Sequence, residues 1–234
     1  MTIKLNWGGL AYSLRRYFID EFHFRHVSTL PVGSQVLDLG GNRIRKRGQF
    51  NIERYDLKVV YANLSTSKRP NVQGDAANIP FKNGSFDAVI CSELLEHVPD
   101  PLAVLHEVYR ILRDEGTLFI CVPFLTQIHG DPYDYGRYTD FYWQKNLSEM
   151  EFHIVALERQ GLFWSVLMDM VRAYVCDGLM NGNIAKRLVR NGIMPGVIAF
   201  GKRLALKLDT KPQKHKSLFF SSFTTGFGIV ATKR

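Results

Sequence analysis

Cysteine is scarce in this chain. Cys91, Cys121 and Cys176 are the three thiols, and no C-x-x-C pair occurs among them. That excludes an even disulfide framework and the thiolate zinc patterns, and it fits a reducing, intracellular setting. Long uncharged apolar runs are also lacking. The stretch from Leu162 to Met180 has 19 residues, nearly a bilayer span. Asp169, Arg172 and Asp177 interrupt it, and each charge at a bilayer centre costs about 2.5–3.5 kcal/mol on insertion scales. A membrane-spanning helix is therefore not expected. Nor is a secretory leader, because Lys4 is followed by no apolar stretch before Arg15, Arg16, Asp20 and Glu21. Glycine (19) and proline (9) are too few for a collagen-like or low-complexity chain, and no internal repeat is visible. With 46% hydrophobic residues and 22% charged, the chain can bury a real core and is not intrinsically disordered.

Acidic residues are almost missing from one segment. Between positions 181 and 216 stand nine basic residues, Lys186, Arg187, Arg190, Lys202, Arg203, Lys207, Lys211, Lys214 and Lys216, opposed only by Asp209. Their surplus equals the whole net charge of +8. The basicity therefore describes one late segment and not the main body.

What is present alternates. Residues 9–26 carry Leu14, Phe18 and Phe22 at helical spacing and predict an amphipathic helix. Val36–Leu39, Lys58–Asn63, Phe86–Cys91, Thr117–Val122 and Phe152–Leu157 read as strands. The first four are apolar throughout, as strands buried on both faces of a parallel sheet are. Asp100 and Pro101 supply an N-cap and a first helical residue, Leu102, Leu105, Val108, Tyr109 and Leu112 continue the period, and Gly116 is read as the stop. Two further helices are expected over 162–180 and 184–208, the second interrupted by Gly192, Pro195 and Gly196, before a closing strand over 223–232. The order predicts an α/β fold with a mostly parallel, Rossmann-like sheet, helices on both faces and a helical insertion before the last strand. A single domain over 1–234 is expected. It comprises an N-terminal helical segment (1–34), a cofactor-binding core (35–160), a helical cap (161–216) and a closing strand (217–234).

Open α/β sheets bind ligands at the carboxyl ends of their strands. Asp38 ends the first strand just before Gly40 and Gly41, where the backbone can approach a ligand closely; a tight turn with a capping aspartate is the plainer reading. Asp75, in Gly74-Asp75-Ala76, has a carboxylate suited to an exocyclic amine, or is simply a loop aspartate. Cys91-Ser92-Glu93-Leu94-Leu95-Glu96-His97-Val98 closes another strand, where a backbone turn can line a cofactor.

In this order the segments from Val36 to Pro123 resemble the class I S-adenosylmethionine-dependent methyltransferases, most of all the small-molecule group called methyltransferase type 11. The most specific part reads IPFKNGSFDAVICSELLEHV, continued by the Asp100-Pro101 helix and the strand TLFICVPF. The resemblance implies a seven-stranded sheet with an antiparallel last strand, and S-adenosylmethionine as cofactor. It puts Asp38, Gly40 and Gly41 at the methionine part, Asn63 at the ribose, Asp75 and Ala76 at the adenine, and Cys91 and Ser92 beside the cofactor. The sequence departs from the family pattern at Asn42 and Ile44, where glycines are usual, at Asn63, where an acid is usual, and at Arg113-Asp114-Glu115-Gly116, where Lys-Pro-Gly-Gly is usual.

The loop after the fifth strand, PFLTQIHGDPYDYGRYT, is dense in polar and aromatic groups. It resembles bacterial methyltransferases of glycan and polysaccharide biosynthesis, which implies a small-molecule or glycan acceptor, lipid-linked glycans included, methylated on a hydroxyl. His129 is the first choice of base and Asp131 the fallback, with Tyr133, Tyr135, Arg137 and Tyr138 at the acceptor. Asp134–Arg137 pairing among buried tyrosines is the structural alternative. No metal is expected. In the late segment Lys202, Arg203 and Lys207 oppose Val197, Ile198, Leu204 and Leu208. This predicts either a lid with its basic face exposed or a pair of interfacial helices over 162–208 touching the membrane of a cytoplasmic protein. Two other functions stay open: an RNA methyltransferase, suggested by the basic segment but lacking any RNA-binding module, and a non-catalytic methyltransferase-like binding protein.

Overall fold

A computed structural model describes residues 10–44, 48–130, 133–178, 192, 194–211 and 216–234. In chain order the elements are α1 (Leu14–His26), β1 (Gln35–Leu39), β2 (Lys58–Asn63), β3 (Val72–Gln73), β4 (Phe86–Ser92), α2 (Pro101–Ile111), β5 (Leu112–Pro123), α3 (Asp140–Glu149), β6 (Phe152–Arg159), α4 (Phe163–Ala173), α5 (Met194–Asp209), α6 (Leu218–Ser221) and β7 (Gly226–Lys233). Two compact units divide the chain. One, residues 21–124, 128–158 and 227–234, carries nearly all of the sheet. The other, residues 1–20, 125–127 and 159–226, is mostly helical.

In the sheet unit seven strands run in the order β3-β2-β1-β4-β5-β7-β6. β1 is parallel to both β2 and β4, so the strand order reverses direction between β1 and β4. In open α/β sheets such a reversal, at the carboxyl ends of these two strands, is where ligands bind. β7 is antiparallel: near its end the Lys233 amine donates to the Leu112 carbonyl at the start of β5 (2.9 Å). The central strands are buried on both faces, which is why they read as unbroken apolar runs. Val89, Leu118 and Ile120 pack with Val104, Leu105 and Val108 of α2 and with Trp143 and Leu147 of α3, all fully buried.

Asp100 caps α2 as expected, accepting from the Leu102 and Ala103 amides (2.9 and 3.1 Å). The far end of α2 differs from the sequence reading. The helix stops at Ile111, and Leu112 already pairs with Phe86. The next pair is Ala88 with Thr117, so residues 113–116 bulge out of the ladder. A Cβ on Gly116 would lie 2.7 Å from the Arg113 carbonyl oxygen. Gly116 therefore closes a bulge and does not stop a helix.

In the helical unit the predicted 162–180 helix is α4, followed by a wide π turn over Tyr174–Gly178. Its N-cap, Leu162, has no capping side chain. Asp209, at the end of α5, supplies one: its buried carboxylate accepts from the amides of Leu162 (3.0 Å), Trp164 (3.2 Å) and Ser165 (2.9 Å). Asp169 serves the start of α1 in the same way, accepting from the Leu14 and Arg15 amides (2.8 and 2.7 Å). Since Asp209 joins the end of α5 to the start of α4, the two helices are antiparallel. They are close-packed where a Cβ on Gly201 would meet the Met168 sulfur at 2.6 Å.

The expected exposed basic face fails at Lys202. That residue is 1% exposed and donates to the Tyr12 carbonyl, and burial pushes its amine below the usual range. Val197 and Leu204, read as the inward face, are about half exposed (50% and 44%). A buried amine is tolerated here because a backbone oxygen that needs a donor lies opposite it. Lys186, Arg187, Arg190 and Lys214 lie outside the described residues.

Asp209→Ala leaves three amides of α4 without their acceptor and should cost about 2–3 kcal/mol of unfolding free energy. Urea denaturation followed by circular dichroism measures it; a loss below about 0.5 kcal/mol contradicts the capping role.

Candidate functional site

The candidate site at the reversal point is built from the ends of β1, β2 and β4. After Leu39 the chain turns at Gly40, whose φ of +79° is in the left-handed region that favours glycine. The Gly40 amide donates to the Ala62 carbonyl (2.8 Å), which ties the turn to β2. Gly41 follows with its backbone against Asp38: a Cβ there would lie 2.2 Å from the Asp38 carboxylate. Only glycine fits, so the Asp38 carboxylate and the Gly41 backbone sit edge to edge.

Asn63, at the end of β2, locks this turn. Its amide nitrogen donates to the carbonyls of Gly40 (2.7 Å) and Gly41 (3.2 Å), and its side-chain oxygen accepts from the Ser65 amide (2.9 Å). The sequence reading put Asn63 at a ribose. The structure gives the side chain a scaffold role that a carboxylate cannot fill, since a carboxylate has no proton to donate.

Asp75 is exposed and caps its own turn through the Ala77 amide (2.9 Å), while Ala76 beside it is buried. Cys91 is fully buried at the end of β4. Burial, reinforced by the Asp38 carboxylate, pushes its thiol far above the usual range, so it is a neutral buried group and not a nucleophile. Ser92 follows, its hydroxyl 2.8 Å from Nε2 of the buried His23. His23 escaped the sequence reading because a histidine on an aromatic helix carries no motif. Next comes Glu93, a non-glycine residue at φ +53°, with its amide on the Cys121 carbonyl (2.8 Å). Left-handed backbone at such a residue costs on the order of 1–3 kcal/mol and is concentrated at functional turns.

The acceptor candidates divide in two. Asp134 and Arg137 form a two-pronged ion pair, with Nη2 to Oδ2 at 2.6 Å, and Asp134 is held at a pKa of about 2, first by Arg137. Asp134 also accepts from the His129 amide (2.9 Å). Arg137 is thus loop structure, the alternative left open above. Tyr138 stacks on Tyr142 (4.4 Å between centroids) and meets Trp143 edge-on (5.3 Å). Tyr133 and Tyr135 remain accessible, 62% and 50% exposed, with rings 5.8 Å apart. The Tyr135 amide donates to the Glu96 carbonyl (2.7 Å), which binds this loop to the turn after β4. His129 has Nδ1 3.6 Å from Asp134 and its ring edge-on to His97 at 5.1 Å. Asp131 lies outside the described residues.

Residues 44–120 match the family model described as a methyltransferase domain. A ubiquinone biosynthesis O-methyltransferase of Xanthomonas campestris pv. campestris is 60% identical over 37 residues, 16% of each chain. The protein of that name from Psychrobacter arcticus is 26% identical over 148 residues, 57% of this chain and 55% of its own. An uncharacterized protein of Methanocaldococcus jannaschii is 30% identical over 118 residues, 45% of this chain and 50% of its own. The chain thus spans from about a sixth to just over half of the length of these relatives. Among solved structures, a putative methyltransferase from Bacillus halodurans is 20% identical with a TM-score of 0.52, over 89% of this chain and 96% of that one. The 1,6-didemethyltoxoflavin-N1-methyltransferase of Burkholderia thailandensis, solved with S-adenosylhomocysteine, is 14% identical with a TM-score of 0.52, over 95% of this chain and 79% of that one. The cyclase SpnF is 16% identical with a TM-score of 0.52, over 93% and 80%. At these identities the structural likeness is one of fold. The match to a methyltransferase domain supports S-adenosylmethionine as the cofactor.

Asn63→Asp removes the donor to two carbonyls and sets a carboxylate against them. It should destabilise the turn by about 1–3 kcal/mol, read as a lower melting temperature. A melting temperature at or above the parent value contradicts the scaffold role.

Proposed function

We propose that this chain is an S-adenosylmethionine-dependent methyltransferase acting on a hydroxyl oxygen of a small-molecule or glycan acceptor. The observation that carries the reading is the turn after β1. Its two glycines leave room for close approach at Asp38, at the reversal point of the sheet. S-adenosylmethionine supplies, when bound, a methyl group on a sulfonium. Asp38, Gly40 and Gly41 are the residues to hold its methionine part, Asp75 and Ala76 its adenine, and Ser92, steadied by His23, the wall between. Tyr133 and Tyr135 are the exposed surface for the acceptor, and aromatic faces suit sugars and ring systems alike. The oxygen is favoured because relatives over 16% and 57% of this chain are O-methyltransferases by name. The dense loop after β5 supports the glycan class. Methyl transfer needs alignment and exclusion of water, and a hydroxyl must also lose its proton. His129 is the first base among the described residues of this loop. The SpnF likeness shows why the site, and not the fold, has to carry the assignment.

Calorimetric titration with S-adenosylhomocysteine should show one site on the full chain. Gly41→Ala, whose Cβ would overlap the Asp38 carboxylate, should weaken binding at least about tenfold, equivalent to roughly 1.4 kcal/mol. No binding by the parent chain, or equal binding by Gly41→Ala, overturns the reading.

We further infer that the α4–α5 pair of the helical unit rests on an anionic membrane surface. Both helices bury one side, with Ser165 and Val166 on α4 and Ile198, Lys202 and Ala205 on α5. In an antiparallel pair their exposed rows then share the opposite side. On α4 that row is Leu167, Met170 and Val171, continued by Tyr174 in the π turn; on α5 it is Val197, Phe200 and Leu204, with exposed Arg203 and Lys207 alongside. Phe200 is 68% exposed and Tyr174 64%. An apolar face flanked by cations matches the acyl boundary and the charge of an anionic bilayer. Among the described residues no helix is long and apolar enough to cross a membrane, so the contact is peripheral. Flotation with phosphatidylglycerol vesicles should recover the chain at low salt. It should recover little at 0.5 M salt or with phosphatidylcholine alone, and little of Phe200→Ser/Leu204→Ser. Recovery indifferent to lipid charge, or none at low salt, contradicts the inference.

A further inference from the structure

Where the turn after β4 meets the loop after β5, Glu96, His97 and His129 come together in the sheet unit. One ligand atom from each lies within 4.8 Å of the others. Two imidazoles and one carboxylate are a donor set for a divalent cation of the zinc class, with coordination positions left open for an exogenous oxygen. Positions 96, 97 and 129 follow no metal-binding spacing, so the fold alone brings them together.

The protonation pattern favours a cation. Nδ1 of His97 is 2.6 Å from the Tyr133 carbonyl oxygen, which can only accept. The proton of a neutral His97 therefore sits on Nδ1, and the lone pair of Nε2 is turned toward Glu96. Nε2 and the Glu96 Oε1 atom are 3.6 Å apart, too far for a hydrogen bond. That distance is close to the edge of a tetrahedron around zinc, roughly 3.4 Å for ligand bonds near 2.1 Å. A backbone carbonyl on the other nitrogen is the arrangement that fixes ring and tautomer in metal-bound histidines. The backbone at His129 is also fixed: its amide donates to Asp134 (2.9 Å), which the Arg137 guanidinium holds in place and keeps ionised. Glu96 is 2% exposed, and a buried carboxylate gains most from a nearby cation.

We propose that Glu96, His97 and His129 bind one divalent cation of the zinc class at this edge of the sheet. Binding itself is independent of methyl transfer. The placement of the cation next to an acceptor hydroxyl rests on the methyltransferase reading, and with a cation bound His129 serves as ligand and not as proton acceptor.

The full chain, stripped with a chelator and dialysed, is titrated with Zn²⁺ in a calorimeter, and Co²⁺ is added separately to read its visible absorption. One equivalent of Zn²⁺ should bind, and Co²⁺ should give the bands of a low-coordinate site. His97→Ala and His129→Ala should each weaken Zn²⁺ binding at least about tenfold and lose the Co²⁺ bands. Glu96→Gln should do the same; because Glu96 is buried, circular dichroism accompanies it, and the two histidine variants decide the matter if it misfolds. Absence of stoichiometric Zn²⁺ binding, or affinity unchanged in both histidine variants, overturns the proposal. S-adenosylhomocysteine titrations on the same samples report on the methyltransferase reading separately, since its ligands, at Asp38, Gly40 and Gly41, lie elsewhere.

Discussion

The side-chain amide of Asn63 is the contact on which the candidate site depends. A turn that exposes two successive carbonyls, those of Gly40 and Gly41, needs a donor, and Asn63 reaches both from the neighbouring strand. Anchoring them lets Gly40 keep its left-handed backbone and lets Gly41 press against Asp38. The parallel register of β1 with β2 and β4, pairing Leu39 with Ala62 and Cys91, brings the turn level with Ser92 on the other side. One amide thus ties the ends of β1 and β2, and strand register sets the end of β4 beside them.

The helical unit solves a different problem with the same economy. Aspartates from distant helices cap its helix starts: Asp169 joins Ser13 at α1, and the buried Asp209 serves α4, whose own N-cap residue Leu162 offers no side-chain acceptor. Lys202 is drawn inward by the Tyr12 carbonyl. With these ionic groups spent on backbone partners inside, the outer side of α4 and α5 is left apolar, rimmed by Arg203 and Lys207. The polarity of that hairpin is inverted relative to an ordinary surface helix.

The sheet was legible because its central strands are buried on both faces and leave unbroken apolar runs; β2 was read with its observed ends, Lys58 and Asn63. β3 was not, since two residues carry no period. Leu112 misled because an apolar residue continuing the helical repeat of α2 is also the first residue of a buried strand. α3 was missed for want of a clean apolar stripe, its buried face being little more than Trp143 and Leu147. The tight turn formed by Asp38, Gly40 and Gly41 was visible from type and order. The roles of Asn63 and Arg137 were not, because a side chain whose partners are backbone carbonyls or a nearby aspartate looks in sequence like one aimed at a ligand. Lys202 failed for a related reason: helical periodicity counts it as outward, and only the facing carbonyl decides otherwise. The cluster of Glu96, His97 and His129 joins two loops far apart in the chain, beyond any local pattern.

Hydrogen–deuterium exchange with and without S-adenosylhomocysteine tests the central claim, that the Asn63-locked turn forms the cofactor cradle. The account predicts slowed exchange in the peptides covering 38–44, 61–65, 74–78 and 91–94, with the amides of 197–207 unchanged. Uniform exchange in both states, or protection confined to the helical unit, would contradict it.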